Sequence, residues 1–300
     1  MDESGPESSG PESSGLAERF DEQRTRLRAV AYRMLGSLSE ADDAVQETWL
    51  RFSRADVSDV DNLGGWLTIV VSRVCLNVLR SRTTRREDPL DPHVPDPIVT
   101  SAEQVDPEHE AVLADSVGLA LLVVLELLPP AERLAFVLHD MFALPFAEIA
   151  PLVGRTPAAT RQLASRARRR VRGAAPAADD DRDRQRQVVD AFFAAARDGD
   201  FEGLVALLDP GVVLRADRGP QPGASHALRG PAAVAGQAMM FAAEERVLQP
   251  VLVNGTAGVV VIIDDQPVSV MAFTVTGGRI VTIDALSDPE RLRRLDLPPS

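Results

Sequence analysis

From residue 16 to residue 86 the apolar positions fall at helical spacing. Phe20, Leu27, Val30, Met34 and Leu35 form one series; Ala41, Ala44, Val45, Thr48, Trp49 and Phe52 form the next. Ser39 followed by Asp42 suits the start of that second helix, with an acid near the positive end of the dipole. A third helix is expected over about Leu63–Ser81, capped by Asn62 and carrying Trp66, Val70, Val74 and Val78. Residues 107–172 read as a second helical block, with a long apolar helix ending at Pro129-Pro130 and three shorter ones after it. Beyond Arg184 the period changes. Helices around Val188–Arg197 and Phe201–Leu208 precede short β-like runs at Val212–Ala216, Val247–Val253, Gly258–Ile263, Val268–Thr276 and Ile280–Leu286. Gly277-Gly278 between the last two marks a hairpin turn. The expected fold is multidomain: two all-α helical domains, the second a helix-turn-helix, then an α+β domain over residues 184–300. In that third domain helices pack on one face of a strongly bent antiparallel sheet.

Two linkers separate these blocks. Residues 87–106 are acidic and hold five prolines with Pro107, a density that precludes a helix. Their carboxylates keep the segment solvated or docked on a basic surface. Residues 173–183 form the second linker, and residues 1–15, with their repeated SGPES, read as a disordered tail rather than a signal peptide. A single cysteine, Cys75, allows no internal disulfide and suits a reducing, cytoplasmic location. No run of about 18 apolar residues is present, so no membrane partner is expected. Four scattered histidines give no metal site of the usual spacing, and no cofactor is expected.

A net charge of −13 argues against a nucleic-acid partner, but its distribution reverses that reading. The chain has no lysine; all 32 basic residues are arginine. Glu87–Glu126 holds ten acids and no base, whereas Gly154–Arg172 holds seven arginines and no acid. Such segregation fits a polyanion binder with acidic linkers. Within the basic run a short helix, Phe146–Leu152, meets a turn at Gly154; Thr156 is a good cap and Pro157 a good first residue for the next helix. There Ala159, Leu163 and Ala167 face inward, while Arg161, Gln162, Ser165, Arg169 and Arg172 share the opposite face with Arg166 at its flank. Small residues inward and long hydrogen-bonding ones outward are what a major-groove recognition helix needs. The plainer alternative is a solvated basic helix on an ordinary bundle. A second polar stripe, Arg73, Asn77, Arg80 and Thr84, runs along the third helix and ends in Arg82, Arg85 and Arg86. Arginines there also complement a helix C-terminus. Two basic helices on either side of a linker make a bipartite contact with DNA the stronger reading.

The run SLSEADDAVQETWLRF, then WLTIVVSRVCLNVLRSR, then LPPAERLAFVLHDMF with FAEIAPLVGRTPAATRQLASRARRRVR resembles bacterial sigma factors of the extracytoplasmic-function class. The resemblance covers most of Phe20–Arg172 and implies that residues 16–86 recognise and melt the minus-ten element, while residues 107–172 read the minus-thirty-five element. Carried over by position, Asp43, Gln46, Glu47 and Arg51 match the segment that grips core RNA polymerase at the clamp of its β′ subunit; the flap of the β subunit is the other expected contact. Arg73, Asn77 and Arg80 match the minus-ten helix, although many relatives carry an aspartate where Asn77 stands, and Arg82 is expected to bind DNA beside them; the loop Asp56–Gly65 would hold a flipped-out base. Asp88–Pro97 fits the connector that threads through the polymerase.

Residues 184–300 resemble the cone-shaped SnoaL-like domain that a subgroup of these sigma factors, the sigma factor J type, carries at its C-terminus. Recurrent motifs of that subgroup match Asp91–Pro97, Ala216–Gly219 and Asp288–Leu292, which points to Asp217, Asp288, Pro289 and Leu292 as a regulatory contact. An intramolecular contact of this domain with the first two is therefore expected, tuning promoter activity. No catalytic residue is assigned: Asp217, His226, Asp264 and Asp284 are the polar candidates, and no Asp-His pair stands at motif spacing. Two rival readings remain at this stage. One is a stand-alone helix-turn-helix regulator that senses a metabolite; the other is a DNA-tethered SnoaL-like enzyme.

Overall fold

A computed structural model describes residues 11–57, 60–85, 93–102, 118–174, 178–221, 223–242 and 246–299. The chain divides into two compact units, Met1–Arg85 with Pro129–Arg166, and Arg86–Leu128 with Ala167–Ser300.

The first unit is helical: α1 (Pro11–Leu35), α2 (Leu38–Phe52) and α3 (Leu63–Arg85) pack on one another. Helix α1 begins inside the segment expected to be a tail. The cap of α2 is Ser37, whose hydroxyl accepts from the Glu40 amide at 3.5 Å; the Ser-x-x-Glu box is spelled two residues before the expected Ser39. Asn62 caps α3 as expected, its side-chain oxygen accepting from Gly65 N at 2.9 Å. Of the apolar residues expected on α3 only Val74 is fully buried, and the buried ridge runs through Leu67, Val71, Val74, Cys75 and Leu79. Leu63–Arg82 has the length and apolar character of a membrane span, but that ridge makes it the core helix of this unit. Burial pushes the Cys75 thiol up to about 12, so it is inert at neutral pH.

The second part of this unit comprises α5 (Pro130–Phe136), continued by a π-helical turn at Val137–Met141, then α6 (Phe146–Val153) and the start of α7 (Pro157–Ala174). Gly154 closes α6 at φ +64°, a conformation that only glycine adopts without strain. Thr156 then caps α7, accepting from Ala159 N at 3.2 Å. The C-terminus of α1 is finished by arginines from two other helices. Arg133 of α5 donates to Met34 O at 2.8 Å, and Arg82 of α3 donates to Leu35 O at 3.3 Å, so orphan carbonyls at the negative end of the dipole meet cations.

The second unit holds helix α4 (Leu119–Glu126) and one seven-stranded sheet: β1 (Val99–Ser101), β2 (Leu208–Asp217), β3 (His226–Arg229), β4 (Val247–Val253), β5 (Thr256–Ile263), β6 (Gln266–Thr276) and β7 (Arg279–Leu286), in the order β1-β4-β5-β6-β7-β2-β3. Helices α8 (Arg182–Asp198), α9 (Phe201–Leu207) and α10 (Pro231–Ala242) pack over one face, where Phe192 meets Phe273 edge-on at 5.9 Å above Val259, Val261 and Ile283. This is the α+β arrangement expected for residues 184–300, with helices on one face of the sheet. The sheet is not wholly antiparallel, because β2 runs parallel to β7. Strand β3 and helix α10 escaped the sequence reading, as did β1.

Strand β1 lies within the 87–106 linker. It pairs antiparallel with β4, Val99 opposite Val253 and Ser101 opposite Val251. Buried Asn254, at φ +48° in the Asn254-Gly255 turn, extends the pairing: its side-chain oxygen accepts from Ile98 N at 3.0 Å and its amide donates to Ile98 O at 2.8 Å. The second linker is tied down as well. Asp179 accepts from the amides of Gly277 and Gly278 at 2.9 and 3.1 Å, and its own amide donates to Val275 O.

Replacing Asn254 by alanine removes the side-chain bond to Ile98 and leaves a positive-φ position without its favoured residue. The cost should be about 1–3 kcal/mol, read as a lower urea midpoint of the β-sheet signal in circular dichroism. An unchanged midpoint would contradict the role given to Ile98 and Asn254.

Candidate nucleic-acid interface and connector latch

On α7 the buried residues are Thr160, Ala164 and Ala167, with Ala159 and Leu163 half-buried, so the inward face is turned by about one residue from expectation. Arg161, Gln162, Ser165, Arg166, Arg169 and Arg172 are all exposed. Two of these are also engaged within the helical unit. The Arg161 guanidinium lies 5.4 Å from the Phe146 ring centroid, and Arg166 Nε is 3.0 Å from the buried carboxylate of Glu132. Arg166 therefore fastens α7 to α5, a role the sequence pattern does not reveal.

On α3, Arg73, Asn77 and Arg80 are exposed and follow one stripe. Arg82 is different. Besides capping α1 it pairs with Glu40 at the start of α2, so it ties the three helices together. The side chains of Thr84 and Arg85, all of Arg86, and Ser58 and Asp59 in the Asp56–Gly65 loop lie outside the described residues. On α2, Asp43, Gln46 and Arg51 are exposed and Glu47 is half-buried; Arg51 Nε contacts Glu47 at 2.9 Å. Asp43 and Gln46 border an open groove of about 560 Å³ between α1 and α2, with Phe20, Val45 and Trp49 among its lining residues.

In the second unit, the three motifs matched by resemblance meet as far as they are described; Asp91 and Pro92 lie outside the described residues. Buried Asp217, at the end of β2, accepts through Oδ2 from Val94 N at 2.9 Å and from Arg291 Nη1 at 2.8 Å, and the same oxygen is 3.0 Å from His93 Nδ1. Its Oδ1 accepts from Gly219 N at 3.1 Å and from the Ser225 hydroxyl at 3.3 Å. Arg291 also reaches the connector directly, donating from Nε to Asp96 at 2.8 Å and from Nη2 to Val94 O at 2.6 Å. Asp288 caps α11 (Pro289–Leu292) by accepting from the amides of Glu290 and Arg291 at 2.8 and 3.4 Å, and Leu292 is buried beneath it. Gly219 sits at φ +97°, and a Cβ there would come within 2.8 Å of Asp288 Oδ2, so any other residue would be strained and would displace the Asp288 carboxylate. Arg291, His93, Asp96 and Asn254 were not singled out by sequence, since none belongs to a pattern within its own element.

The carboxylates weighed for catalysis have other work. Asp217 holds the connector. Asp284 is wholly buried against Arg215 at 2.5 Å, and Asp264 is exposed in the turn between β5 and β6. Among the described residues no group of three His, Cys, Asp or Glu side chains converges on a common point that would hold a metal.

Burial pushes the Asp217 carboxyl up, but the His93 side chain, the Val94 and Gly219 amides and the Arg291 charge together outweigh it and hold the group well below the ordinary carboxylate range. The sign follows: a lowered folded-state value gives stability that is complete above about pH 4 and fades as pH falls further. Asp217 thus stays ionised across pH 5–8. Arg291→Ala, which removes the one cation that Asp217 and Asp96 share, should cost about 3 kcal/mol and raise the rate of cleavage at Asp96 by endoproteinase Asp-N severalfold. Wild-type cleavage kinetics in that variant would contradict the latch.

Comparison with known proteins fits this geometry. Residues 20–85 match the Sigma-70 region 2 family and residues 118–171 the Sigma-70, region 4 family. The probable ECF RNA polymerase sigma factor SigI of Mycobacterium tuberculosis is 38% identical over 270 residues, 90% of this chain and 92% of the relative. The ECF RNA polymerase sigma factor SigJ of the same species is 44% identical over 213 residues, 70% of this chain and 68% of its own length. The crystal structure of M. tuberculosis SigJ superposes with a TM-score of 0.74 at 34% identity, covering 94% of this chain and all of that one. With two sigma regions in order and relatives alike over nearly its full length, the chain belongs to the ECF RNA polymerase sigma factors, which bind core RNA polymerase and direct it to promoters, and it carries a SnoaL-like domain at its C-terminus.

Proposed function

We propose that the C-terminal domain modulates promoter recognition by holding the connector between the two DNA-reading regions. The observation that carries this reading is that Val94, Asp96 and Val99–Ser101, all within the expected linker, are bonded to Asp217, Arg291 and β4 of that domain. A free acidic tether samples many separations of its ends, whereas one pinned along a strand edge has few. The latch therefore limits the spacings that the minus-ten and minus-thirty-five readers adopt. In this scheme Asp217, Asp288, Pro289 and Leu292 form the regulatory contact, with Arg291 as its centre.

Within the sigma regions, Arg73, Asn77 and Arg80 contact the minus-ten element, and Arg161, Gln162, Ser165, Arg169 and Arg172 contact the minus-thirty-five element. Arg82 and Arg166 act chiefly through the fold. Asp43, Gln46, Glu47 and Arg51 meet the β′ clamp, and the second helical region meets the β flap. The domain boundaries expected from sequence are kept in this scheme except at their edges: α1 begins within the expected tail, and residues 93–102, α4 and Asp179 work with the C-terminal domain. The protein acts in the cytoplasm, where its polymerase is, and catalyses no reaction itself.

In vitro transcription with core polymerase tests the scheme. Arg291→Ala should change output from the native promoter while leaving affinity for core polymerase as in the wild type; equal output across a titration of polymerase would count against modulation. Asp43→Arg with Glu47→Arg should weaken association with the core, and wild-type affinity in that folded variant would remove the clamp assignment. Replacing Arg161 or Gln162 by alanine should cost about 1–3 kcal/mol on the minus-thirty-five element and relax specificity there. Arg172→Ala should weaken all sequences alike and flatten the salt dependence. If Arg161→Ala also weakened every promoter equally, the base-reading role would be wrong.

A further inference from the structure

The fold treats the arginines of α7 in different ways. Arg166 gives its Nε to the buried carboxylate of Glu132 at 3.0 Å. Arg169 is exposed and has no partner among the described residues. Arg161 is exposed too, but its guanidinium carbon lies over the Phe146 ring, 5.4 Å from the centroid. That attraction is between the cation and the negative face of the ring, so it engages none of the five N–H donors. Arg161 is therefore held with its hydrogen-bonding fork unspent. A bidentate contact with the O6 and N7 of a guanine needs that combination.

Phe146 is fixed in turn. The His139 ring stacks on it, centroids 3.8 Å apart and planes 27° from parallel. A ring that close covers one face of Phe146 and leaves the other to the arginine. His139 stands on the π-helical turn Val137–Met141, where its Nδ1 lies 2.9 Å from Leu144 O. A carbonyl only accepts, so Nδ1 carries the proton and donates. The Leu144 amide donates to Leu138 O at 2.9 Å. Both backbone groups of buried Leu144 are thus bonded to the π-helical turn, and Ala143 just before it turns the chain at φ +56°. Two residues beyond Leu144, Phe146 opens α6. Placement runs from the π-helical turn through Leu144 and Phe146 to Arg161, all within the helical unit. An arginine ordered before it meets DNA loses less side-chain freedom on docking than a mobile one.

We propose that His139 and Phe146 are positioning residues that set the Arg161 guanidinium for base contact in the minus-thirty-five element. The proposal rests on the assignment of Arg161 to that element, and two readouts separate the stack from the assignment. The first is nitrogen-15 relaxation of the arginine Nε groups in the free full chain. Arg161 should be well ordered beside a mobile Arg169, Phe146→Leu should bring it to the level of Arg169, and Phe146→Tyr should restore it. The second is discrimination by the polymerase holoenzyme between the native minus-thirty-five element and its single-base variants. Phe146→Leu should reduce it about fivefold, at the base pair whose reading Arg161→Ala relaxes, and should add nothing in the Arg161→Ala background. His139→Asn, which keeps a donor for Leu144 O but has no ring, should act in the same direction, and it takes the place of Phe146→Leu if that variant lowers the melting temperature. An Arg161 as mobile as Arg169 would overturn the stack and leave Arg161 as a base reader. So would a Phe146→Leu effect that is equal for all sequences, or equal with and without Arg161. An ordered Arg161 whose removal leaves discrimination intact would overturn the assignment and the proposal together.

Discussion

One guanidinium stands at the centre of the contacts between the acidic connector and the C-terminal domain. Arg291 gives Nη1 to Asp217, Nε and Nη2 to Asp96, and Nη2 also to the Val94 carbonyl, so each of its three nitrogens has a partner. A planar fork can serve several acceptors at fixed angles, which a lysine ammonium cannot. The surrounding elements serve that geometry. Asp288 caps the short helix that presents Arg291, Gly219 lets Asp288 approach, and Ser225 and Gly219 hold the far oxygen of Asp217. Once Val94 is fixed, Ile98 reaches Asn254 and the chain runs on as β1. A segment rich in proline and carboxylate, unable to form a helix or a core of its own, thereby becomes an edge strand of another domain's sheet.

The same use of arginine recurs through a chain that has no lysine. Arg82 and Arg133 finish the C-terminus of α1, and Arg166 reaches Glu132. Arg186 donates to the carbonyls of Val251 and Gly258, and Arg215 pairs with buried Asp284. Each is a case where one cation meets carbonyls or carboxylates that burial would otherwise leave costly. On α3 and α7 the arginines Arg73, Arg80, Arg161, Arg169, Arg170 and Arg172 are also exposed to solvent.

Local patterns were legible where the physics is local. Strand β4 has the bounds that its β-branched run suggests, the Gly277-Gly278 turn has positive φ at both residues, and Gly154 and Thr156 frame the turn between α6 and α7 as their chemistry requires. Strand β3 was missed because its four residues are alternately half-buried and exposed, so they show no apolar run. Helix α10 was missed because its alanines and glycine give little amphipathic contrast, with only Val234 and Ala235 buried. The parallel pairing of β2 with β7 could not be read from strands that lie some seventy residues apart. The latch was visible only as three separate motifs. Its bonds join residues as far as 198 positions apart, and Arg291, His93 and Asp96 look like ordinary solvated charges until the fold brings them together.

The account stands on the connector being fastened in the free protein. Native-state hydrogen exchange at the Val94 and Ile98 amides tests this directly, because both donate only to groups of the C-terminal domain, Asp217 and Asn254. The account predicts protection of the same order as that of the paired β4 and β5 amides, in one cooperative opening. Exchange at the rate of an unstructured peptide, beside a fully protected sheet, would contradict it.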